Sequence, residues 1–267
     1  MRWDVSREMI ARASVSKTMA RPEYSQLAGA VSGLNNQASP KTATAGNPNL
    51  KPTTAENADA SLAYYFSKNA YVQGSVFVQN MNDYVKPGFG FVQLINPDTQ
   101  LPDEYLVRSS VGTQAQLRGM ELSGETPIGA GFGVIGNLTL VQGKDQDGAE
   151  MIGTSRWTYN LRGYYESGNW TASLAWNQRD KYAIGNFGTG ALSEPSTTAG
   201  RTGQWWAAPQ SSMSASMTYK ISPAMTVTVD ALNLTDTTYS YYFITPELPS
   251  GVYKNGRQFY VNLRMKF

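Results

Sequence analysis

The most constraining feature of the sequence is an alternation of apolar and polar residues with a period of two, which is clearest at the C-terminus. A β-strand points successive side chains to opposite faces, so such a segment has one apolar face and one polar face. A helix would scatter both sets around its circumference. Over 258–267 the apolar set is Phe259, Val261, Leu263, Met265 and Phe267, and the polar set is Gln258, Tyr260, Asn262, Arg264 and Lys266.

The same alternation recurs along the chain and predicts an all-β fold of about ten antiparallel strands. Met1 to Val5 is interpreted as the end of an eleventh, earlier strand. The segment 112–126 changes phase near Gly119, where we expect a β-bulge. The other strands are predicted near 9–19, 56–67, 70–85, 132–140, 155–167, 170–177, 213–220, 225–230 and 258–267.

The connections between these strands alternate between short and long. Outer-membrane barrels have short periplasmic turns and long extracellular loops, so the alternation predicts a transmembrane β-barrel and places Phe267 on the periplasmic side. Short turns are predicted at 67–70, 126–129, 167–169 and 222–224, and long extracellular loops near 20–55, 86–111, 144–154, 180–208 and 238–255.

Composition supports strands that have one face in lipid and one in water. Mean hydropathy is −0.38, and no apolar stretch approaches the roughly 18 to 20 residues of a membrane-spanning helix. Aromatic residues make up 12% of the chain, and many lie at strand ends, as interfacial girdles require. This favours a barrel over a soluble β-sandwich or propeller. The girdle candidates are Tyr64, Tyr65, Trp157, Tyr164, Tyr165, Trp170 and Trp176.

The chain contains neither cysteine nor histidine, which removes several kinds of chemistry. Ser-His-Asp and Cys-His catalysis, most zinc sites and disulfides are excluded. The outer-membrane phospholipase and the omptin proteases both use histidine, so neither activity fits. The net charge is +2 and basic residues are scattered, which excludes a nucleic-acid footprint. We therefore predict no enzyme, no cofactor and no metal site.

Aromatic residues in the long loops are the candidates for ligand binding, because exposed rings are costly unless they are used or buried. Stacking on a sugar or a catechol would explain them, and packing within the loops or in the upper girdle explains them equally well. Asp145 and Asp147 suggest Ca²⁺, but two carboxylates in a loop are usually just solvated. The candidates are Arg201, Trp205, Trp206, Tyr239, Tyr241, Tyr242 and Phe243.

Five segments, in order along the chain, resemble TonB-dependent receptors, nearest to the branch abundant in Caulobacter-like and Xanthomonas-like bacteria. Gly46 to Pro52 followed by Glu56-Asn57 is similar to the family's "GNP-L-P-E-N" signature. Pro48 and Pro52 cannot donate ladder hydrogen bonds, so this segment is expected outside the sheet. The other four are Ser16 to Pro22, Gly119 to Leu122, Asn233 to Asp236, and Gly256-Arg257 before a closing strand that ends in phenylalanine.

The resemblance implies the C-terminal portion of a 22-stranded barrel in the outer membrane of a Gram-negative bacterium, importing a carbohydrate or an iron-siderophore. The implied partners are outer-membrane lipid, a small-molecule ligand and the barrel-assembly machinery. TonB would act only through a plug that is absent from this sequence. The terminal strand resembles the signal that the assembly machinery reads, although an ordinary closing strand would look the same; that signal comprises Phe259, Val261, Leu263, Met265 and Phe267.

Two other functions remain open from the sequence. One is a self-contained ten-stranded pore or scaffold, since even strand numbers from about eight upward close into barrels. The other is the translocator barrel of an autotransporter, although no helical periodicity marks the N-terminus. Arg2, Asp4, Arg7 and Glu8 stand where a secretory signal would be apolar, so we expect a fragment of a larger receptor.

Overall fold

The computed structural model describes residues 1–186 and 204–267 as an almost entirely antiparallel β-structure. Among these residues, no helix has the length and apolar character needed to cross a membrane. The elements are β1 Arg2–Asp4, β2 Met9–Ala20, α1 Tyr24–Leu27, β3 Val31–Asn35, β4 Thr42–Ala45, β5 Thr53–Ser67, β6 Ala70–Ile95, β7 Pro102–Gly129, β8 Phe132–Asp145, β9 Trp157–Ser167, β10 Trp170–Arg179, β11 Tyr182–Asn186, β12 Gln204–Ala207, β13 Gln210–Ser222, β14 Met225–Leu232, β15 Thr238–Phe243, β16 Pro249–Lys254 and β17 Gln258–Met265.

The main sheet follows the order β1-β2-β5-β6-β7-β8-β9-β10-β13-β14-β17, with β3 and β4 attached beside this path, and each strand of the path pairs with the next. All of these pairings are antiparallel, which confirms the predicted all-β fold. Within the described residues, β1 pairs only with β2 and β17 only with β14, so the sheet is open. Four tight turns, after β5, β7, β9 and β13, mark one end of the sheet, here called the short-turn end.

The register gives the main sheet an apolar face and a polar face. Val229 of β14 stands opposite Val261 of β17 and Met217 of β13, and the other predicted apolar sets align in the same way. Met217 and Val229, on strands inside the sheet, are 46% and 38% exposed, as expected of an apolar face that no protein layer covers. The prediction that alternation separates these two faces is therefore confirmed.

The polar face is cross-linked by side-chain hydrogen bonds between neighbouring strands. Such cross-strand pairs each contribute roughly 0.2–1 kcal/mol and fix the register. The pairs are Ser14 Oγ to Asp59 Oδ2 at 2.6 Å, Asn160 Nδ2 to Asn137 Oδ1 at 2.7 Å, Ser216 Oγ to Asp230 Oδ1 at 2.6 Å, and the hydroxyls of Thr218 and Thr228 at 2.9 Å.

Aromatic rings form two bands on the apolar face, one at each end of the strands. Of the predicted girdle residues, Tyr65 and Tyr164 lie instead on the polar face. Each is directly adjacent in sequence to a residue of the apolar face, and successive side chains of a strand point to opposite faces. The tight ring pairs are Trp170–Tyr219 at 4.4 Å and Phe132–Tyr165 at 4.6 Å near the short-turn end, and Tyr159–Trp176 at 5.3 Å and Trp157–Tyr159 at 5.7 Å near the other.

The segment 86–111, predicted as a loop, is instead a continuation of β6 and β7 as a long hairpin. Its turn comprises only 96–101, where the amide of Asn96 donates to the carbonyl of Leu101 at 2.9 Å. Beyond the apolar band the backbone ladder continues, but the strict alternation of apolar and polar residues disappears. Sequence periodicity therefore underestimates the length of these strands.

The bulge expected near Gly119 lies elsewhere, between Met81 and Tyr84 on β6, where Asp83 has a φ of 54°. Gly119 pairs without interruption with Phe77 and Val141. A Cβ at this position would lie 2.4 Å from the Leu140 carbonyl oxygen and 2.6 Å from the Phe77 ring, so the glycine makes room for both. The apparent phase change arises because 112–118 lies beyond the apolar band.

The segment Gly46 to Pro52 lies between β4 and β5, outside the sheet as predicted. A Cβ on Gly46 would approach the Ala28 carbonyl oxygen to 2.0 Å, so only glycine fits there. Asn47 Nδ2 donates to the carbonyl of Ser110 at 3.0 Å, and its amide donates to the carbonyl of Gln26 at 2.6 Å. This segment therefore fastens the 20–55 region to the long hairpin.

A buried cluster joins the same two regions further along the hairpin. The β3–β4 hairpin attaches through a parallel pairing of β4 with β7, on the edge that β8 leaves free. Ala43, Tyr105 and Val107 are each at most 5% exposed and pack against Leu94. The core of the described molecule thus lies away from the apolar band, where water surrounds the chain and burial stabilises it.

Asn233 to Asp236 forms the break between β14 and β15. Asn233 and Asp236 both have positive φ, 54° and 53°, which asparagine and aspartate tolerate better than most residues. Asn233 Nδ2 donates to the Gly256 carbonyl at 2.8 Å, and the Leu234 amide donates to the Met213 carbonyl at 2.8 Å. The break is therefore fixed to the strands on both sides.

A buried ion pair holds 144–154 against the long hairpin. Lys86 Nζ lies 2.5 Å from Asp145 Oδ2 and 2.7 Å from Asp147 Oδ2. The side chains of Lys86 and Asp145 are 14% and 4% exposed, whereas that of Asp147 is 62% exposed. Burial lowers the pKa of Lys86, but its hydrogen bonds to the two carboxylates outweigh this, so its pKa is raised.

The two faces of β14 predict opposite responses to arginine. Val229→Arg should destabilise the folded sheet in bilayers by about 2–4 kcal/mol, because the charge would enter the lipid near mid-strand. Thr228→Arg, one residue away on the polar face, keeps its charge hydrated and should cost far less. Urea unfolding in lipid vesicles measures both; equal free energies of unfolding would show that the face assignment is wrong.

Asp145→Asn should loosen 144–154 much more than Asp147→Asn. Removing one partner of a buried ion pair costs about 3–5 kcal/mol, whereas an exposed pair contributes about 0–1 kcal/mol. Hydrogen exchange of the Asp147 and Ala149 amides, which donate to Asp145 Oδ1 at 2.9 and 3.0 Å, reports the change. In the unsubstituted chain, protection should be lost as pH rises through the raised pKa of Lys86, and equal exchange in both variants would contradict this account.

Candidate functional site

Four short strands form a second sheet, of order β11-β12-β15-β16, here called the loop sheet. Each continues one strand of the main sheet after a break of a few residues: β11 follows β10, β12 precedes β13, β15 follows β14 and β16 precedes β17. The loop sheet therefore repeats the order of the four strands that support it. Its residues are held in place by regular backbone pairing instead of by irregular loop contacts.

This sheet brings together the two aromatic segments that the sequence identified. Trp205 stands opposite Phe243, and Trp206 stands opposite Tyr242, through the antiparallel pairing of β12 with β15. Arg201, the remaining sequence candidate, lies outside the described residues. Segments that are distant in sequence thus form one continuous surface.

The pairing separates the candidates onto two faces of the loop sheet. The first, called the aromatic face, is stabilised by ring contacts and by a hydrogen bond from Trp205 Nε1 to Ser250 Oγ at 2.6 Å. The Trp205 and Phe243 rings stack at 5.8 Å, and the Tyr241 and Tyr253 rings meet edge to face at 5.7 Å. The aromatic face comprises Trp205, Tyr239, Tyr241, Phe243 and Tyr253.

Trp206 and Tyr242 lie on the opposite face and serve packing. Tyr242 is only 6% exposed, and burial, with the nearby charge of Asp180, raises the pKa of its phenol. Lys181 Nζ lies 4.9 Å from the centre of the Trp206 ring, within the range of a cation–π contact. These two rings therefore offer a ligand much less access than those of the aromatic face.

A groove of about 520 Å³ runs along the aromatic face. Sequence reasoning missed three of the residues that line it, Ile184, Tyr253 and Asn255. The position of Tyr253 follows from its pairing with Tyr239, which only a hairpin over 238–254 would have revealed. The lining residues are Ile184, Trp205, Tyr239, Tyr241, Tyr253 and Asn255.

An ion pair lies beside the groove but does not line it. Lys254 Nζ is 2.8 Å from Asp236 Oδ2, and this hydrogen bond lowers the pKa of the Asp236 carboxyl. Lys254 pairs with Thr238, on the face opposite the aromatic one. The local charges therefore neutralise each other at the edge of the sheet.

Asp145 and Asp147, which suggested calcium, hold the ammonium group of Lys86 between them. Within the described ranges, no group of three or more acidic side chains is arranged to hold a metal ion. The two carboxylates thus fasten a loop in this structure.

The apolar residues of the terminal strand β17 are largely exposed. Phe259, Val261 and Leu263 are 66%, 72% and 56% exposed, and Met265 is the last residue of the strand. Phe267 lies beyond the strand and is fully exposed at the short-turn end. Its ring therefore contributes little buried area to the fold.

Comparison with known proteins gives a family and a fold. A sequence model described as "TonB dependent receptor-like, beta-barrel" matches residues 1–234. No curated protein sequence matches the chain.

Solved structures share the whole architecture. The siderophore receptor PirA from Acinetobacter baumannii matches all of this chain with a TM-score of 0.72 and 17% identity. A mutant of the ferric enterobactin receptor PfeA from Pseudomonas aeruginosa, in complex with enterobactin, matches all of it with 0.74 and 16%. The copper transporter OprC also matches all of it, with 0.66 and 16%.

This chain spans about 40% of the length of these receptors, covering 40%, 40% and 38% of PirA, PfeA and OprC. At such low identity the likeness shows the fold alone. A self-contained pore and an autotransporter barrel are not favoured, because the family match and the fold both point to part of a larger receptor barrel. The predicted resemblance is thereby confirmed: the chain belongs to the TonB-dependent receptor family and forms the C-terminal part of its β-barrel.

Proposed function

We propose that this chain supplies the ligand-contacting, C-terminal barrel wall of a receptor that imports a scarce nutrient across the outer membrane of a Gram-negative bacterium. The observation that carries the proposal is the assembly of Trp205, Tyr241 and Phe243 on one face of the loop sheet. Aromatic residues that a ligand can reach, presented on a rigid support, are typical of binding surfaces. The long loops are then extracellular, and the aromatic face is where a nutrient is first held.

The two faces of the main sheet support a position in the outer membrane. The apolar face, bounded by aromatic bands, suits lipid, and the hydrogen-bonded polar face suits the inside of a barrel. In receptors of this family TonB acts on the plug, so TonB is a partner of the assembled receptor and not of these strands alone. Transport, in contrast to catalysis, also fits a chain without histidine or cysteine.

Import can be tested by deleting the full-length receptor that contains this chain and growing the cells with limiting iron, copper or single carbohydrates. The deletion strain should grow poorly under one limitation and normally when that nutrient is plentiful. The complete receptor should restore growth, whereas these 267 residues alone should not, because energised import requires the plug. Normal growth under every limitation, or rescue by this chain alone, would argue against the proposal.

Phe267 is proposed as part of the signal read by the barrel-assembly machinery, together with the outward residues of β17. Burying a phenylalanine stabilises a fold by roughly 1.5–3 kcal/mol, but Phe267 is fully exposed and contributes little of this. Deleting it from the full-length receptor should strongly reduce surface assembly in cells while leaving refolding into detergent micelles intact. Surface labelling and micelle refolding measure the two effects; normal assembly in cells would show that Phe267 is no signal.

A further inference from the structure

We infer that the groove on the aromatic face binds an uncharged, hydroxyl-rich ligand of the saccharide class, and not an anionic metal chelate. This inference rests on the proposed function and names the chemical class of ligand for the same surface. Three properties of the groove lead to it: the exposure of its rings, the engagement of the cations around it, and its free neutral hydrogen-bonding groups.

The rings of the groove are presented for stacking. Tyr253 and Trp205 are 60% and 37% exposed, although each is fixed on one side by a neighbouring ring. The face of an aromatic ring carries partial negative charge, so it attracts the C–H groups of a sugar ring and repels an anion. Two accessible rings on one face of the loop sheet therefore favour a ligand with apolar, C–H-bearing faces.

The described lysine and arginine side chains in and beside the loop sheet already interact with other protein groups. Lys254 pairs with Asp236, and Lys181 lies over the Trp206 ring. Arg179 lies 3.7 Å from the centre of the Tyr182 ring and donates to Ser155 Oγ at 3.0 Å. Arg257 Nε donates to the carbonyl of Leu234 at 3.0 Å.

The six described residues that line the groove carry no formal charge. Among the residues that the structure describes here, an anionic chelate would therefore lose hydration without gaining an ionic partner.

The polar groups that do face the groove suit hydroxyls. The phenols of Tyr239, Tyr241 and Tyr253 and the amide of Asn255 can each donate and accept a hydrogen bond. Within the described part of the chain, none of these four side chains has a hydrogen-bond partner, so they are free for a ligand. The volume of about 520 Å³ lies within the usual range of small-molecule sites.

Calorimetry on the purified full-length receptor in detergent tests the inference. The neutral probes are maltohexaose, cellohexaose, xylohexaose and chitohexaose, and the anionic probe is the ferric complex of 2,3-dihydroxybenzoate. At least one neutral probe should bind, and the ferric complex should not. Trp205→Ala should weaken binding about tenfold, whereas Trp205→Phe should restore part of it, because a ring face remains.

Val252→Ala is the matched control, since Val252 is 61% exposed and lies on the opposite face of β16 from Tyr253. Tyr253→Ala removes an exposed ring that makes no hydrogen bond, so it provides a second test if the Trp205 variants fail to fold. Circular dichroism checks that each variant is folded. Binding should be unchanged in Val252→Ala and weakened in Tyr253→Ala.

The remaining outcomes overturn the inference in distinguishable ways. If only the ferric complex binds, and its binding depends on Trp205, the groove is a ligand site for an anionic chelate and the proposed function stands. If no probe binds, or if Trp205→Ala and Val252→Ala behave alike with every probe, the groove is not a saccharide site. The nutrient-limitation experiment then decides separately whether the receptor imports anything.

Discussion

The structure depends on one constraint, the need to satisfy backbone hydrogen bonds where no water is present. In lipid an unpaired amide or carbonyl costs several kcal/mol, so strands that cross a membrane must pair along their whole length. The antiparallel order from β1 to β17 meets this requirement for every strand except the edge strands β1 and β17 and the part of β2 that the short β1 does not cover. The same constraint explains why the chain needs no apolar core within its membrane-spanning part: the ladder fixes the strands, and lipid covers the apolar face. The buried cluster around Tyr105 lies where the chain returns to water.

How well the sequence predicted the fold depends on the environment of each segment. Where one face meets lipid and the other meets polar groups, as in β10, β14 and β17, the alternation is strict and the predicted strands agree closely with the structure. Beyond the apolar band neither face meets lipid, the strict alternation disappears, and the hairpin over 86–111 was wrongly predicted as a loop. The misplaced bulge has the same origin, because Gly119 lies where the two environments meet and its neighbour Phe77 fills the space above it.

The candidate site shows a similar division. Composition was enough to find Trp205 and Tyr241, because large rings in long loops are conspicuous. Composition could not show which face of the loop sheet each ring lies on. Trp205 and Trp206 are adjacent in sequence, yet in the pairing of β12 with β15 Trp205 lines the groove and Trp206 packs on the opposite face. Tyr253 was missed because its role depends on which residue it pairs with, and no local pattern carries that information.

The breaks between the two sheets separate the ladder of the main sheet from the groove of the loop sheet. Asn233 to Asp236 fixes the end of β14 to β13 and to the residues that lead into β17, so the loop sheet begins from a position set by the barrel. Above that point lipid no longer restricts side chains, and residues of the loop sheet are free to change without disturbing the ladder below. The hydrogen-bond requirement that fixes the ladder therefore does not fix the side chains that line the groove.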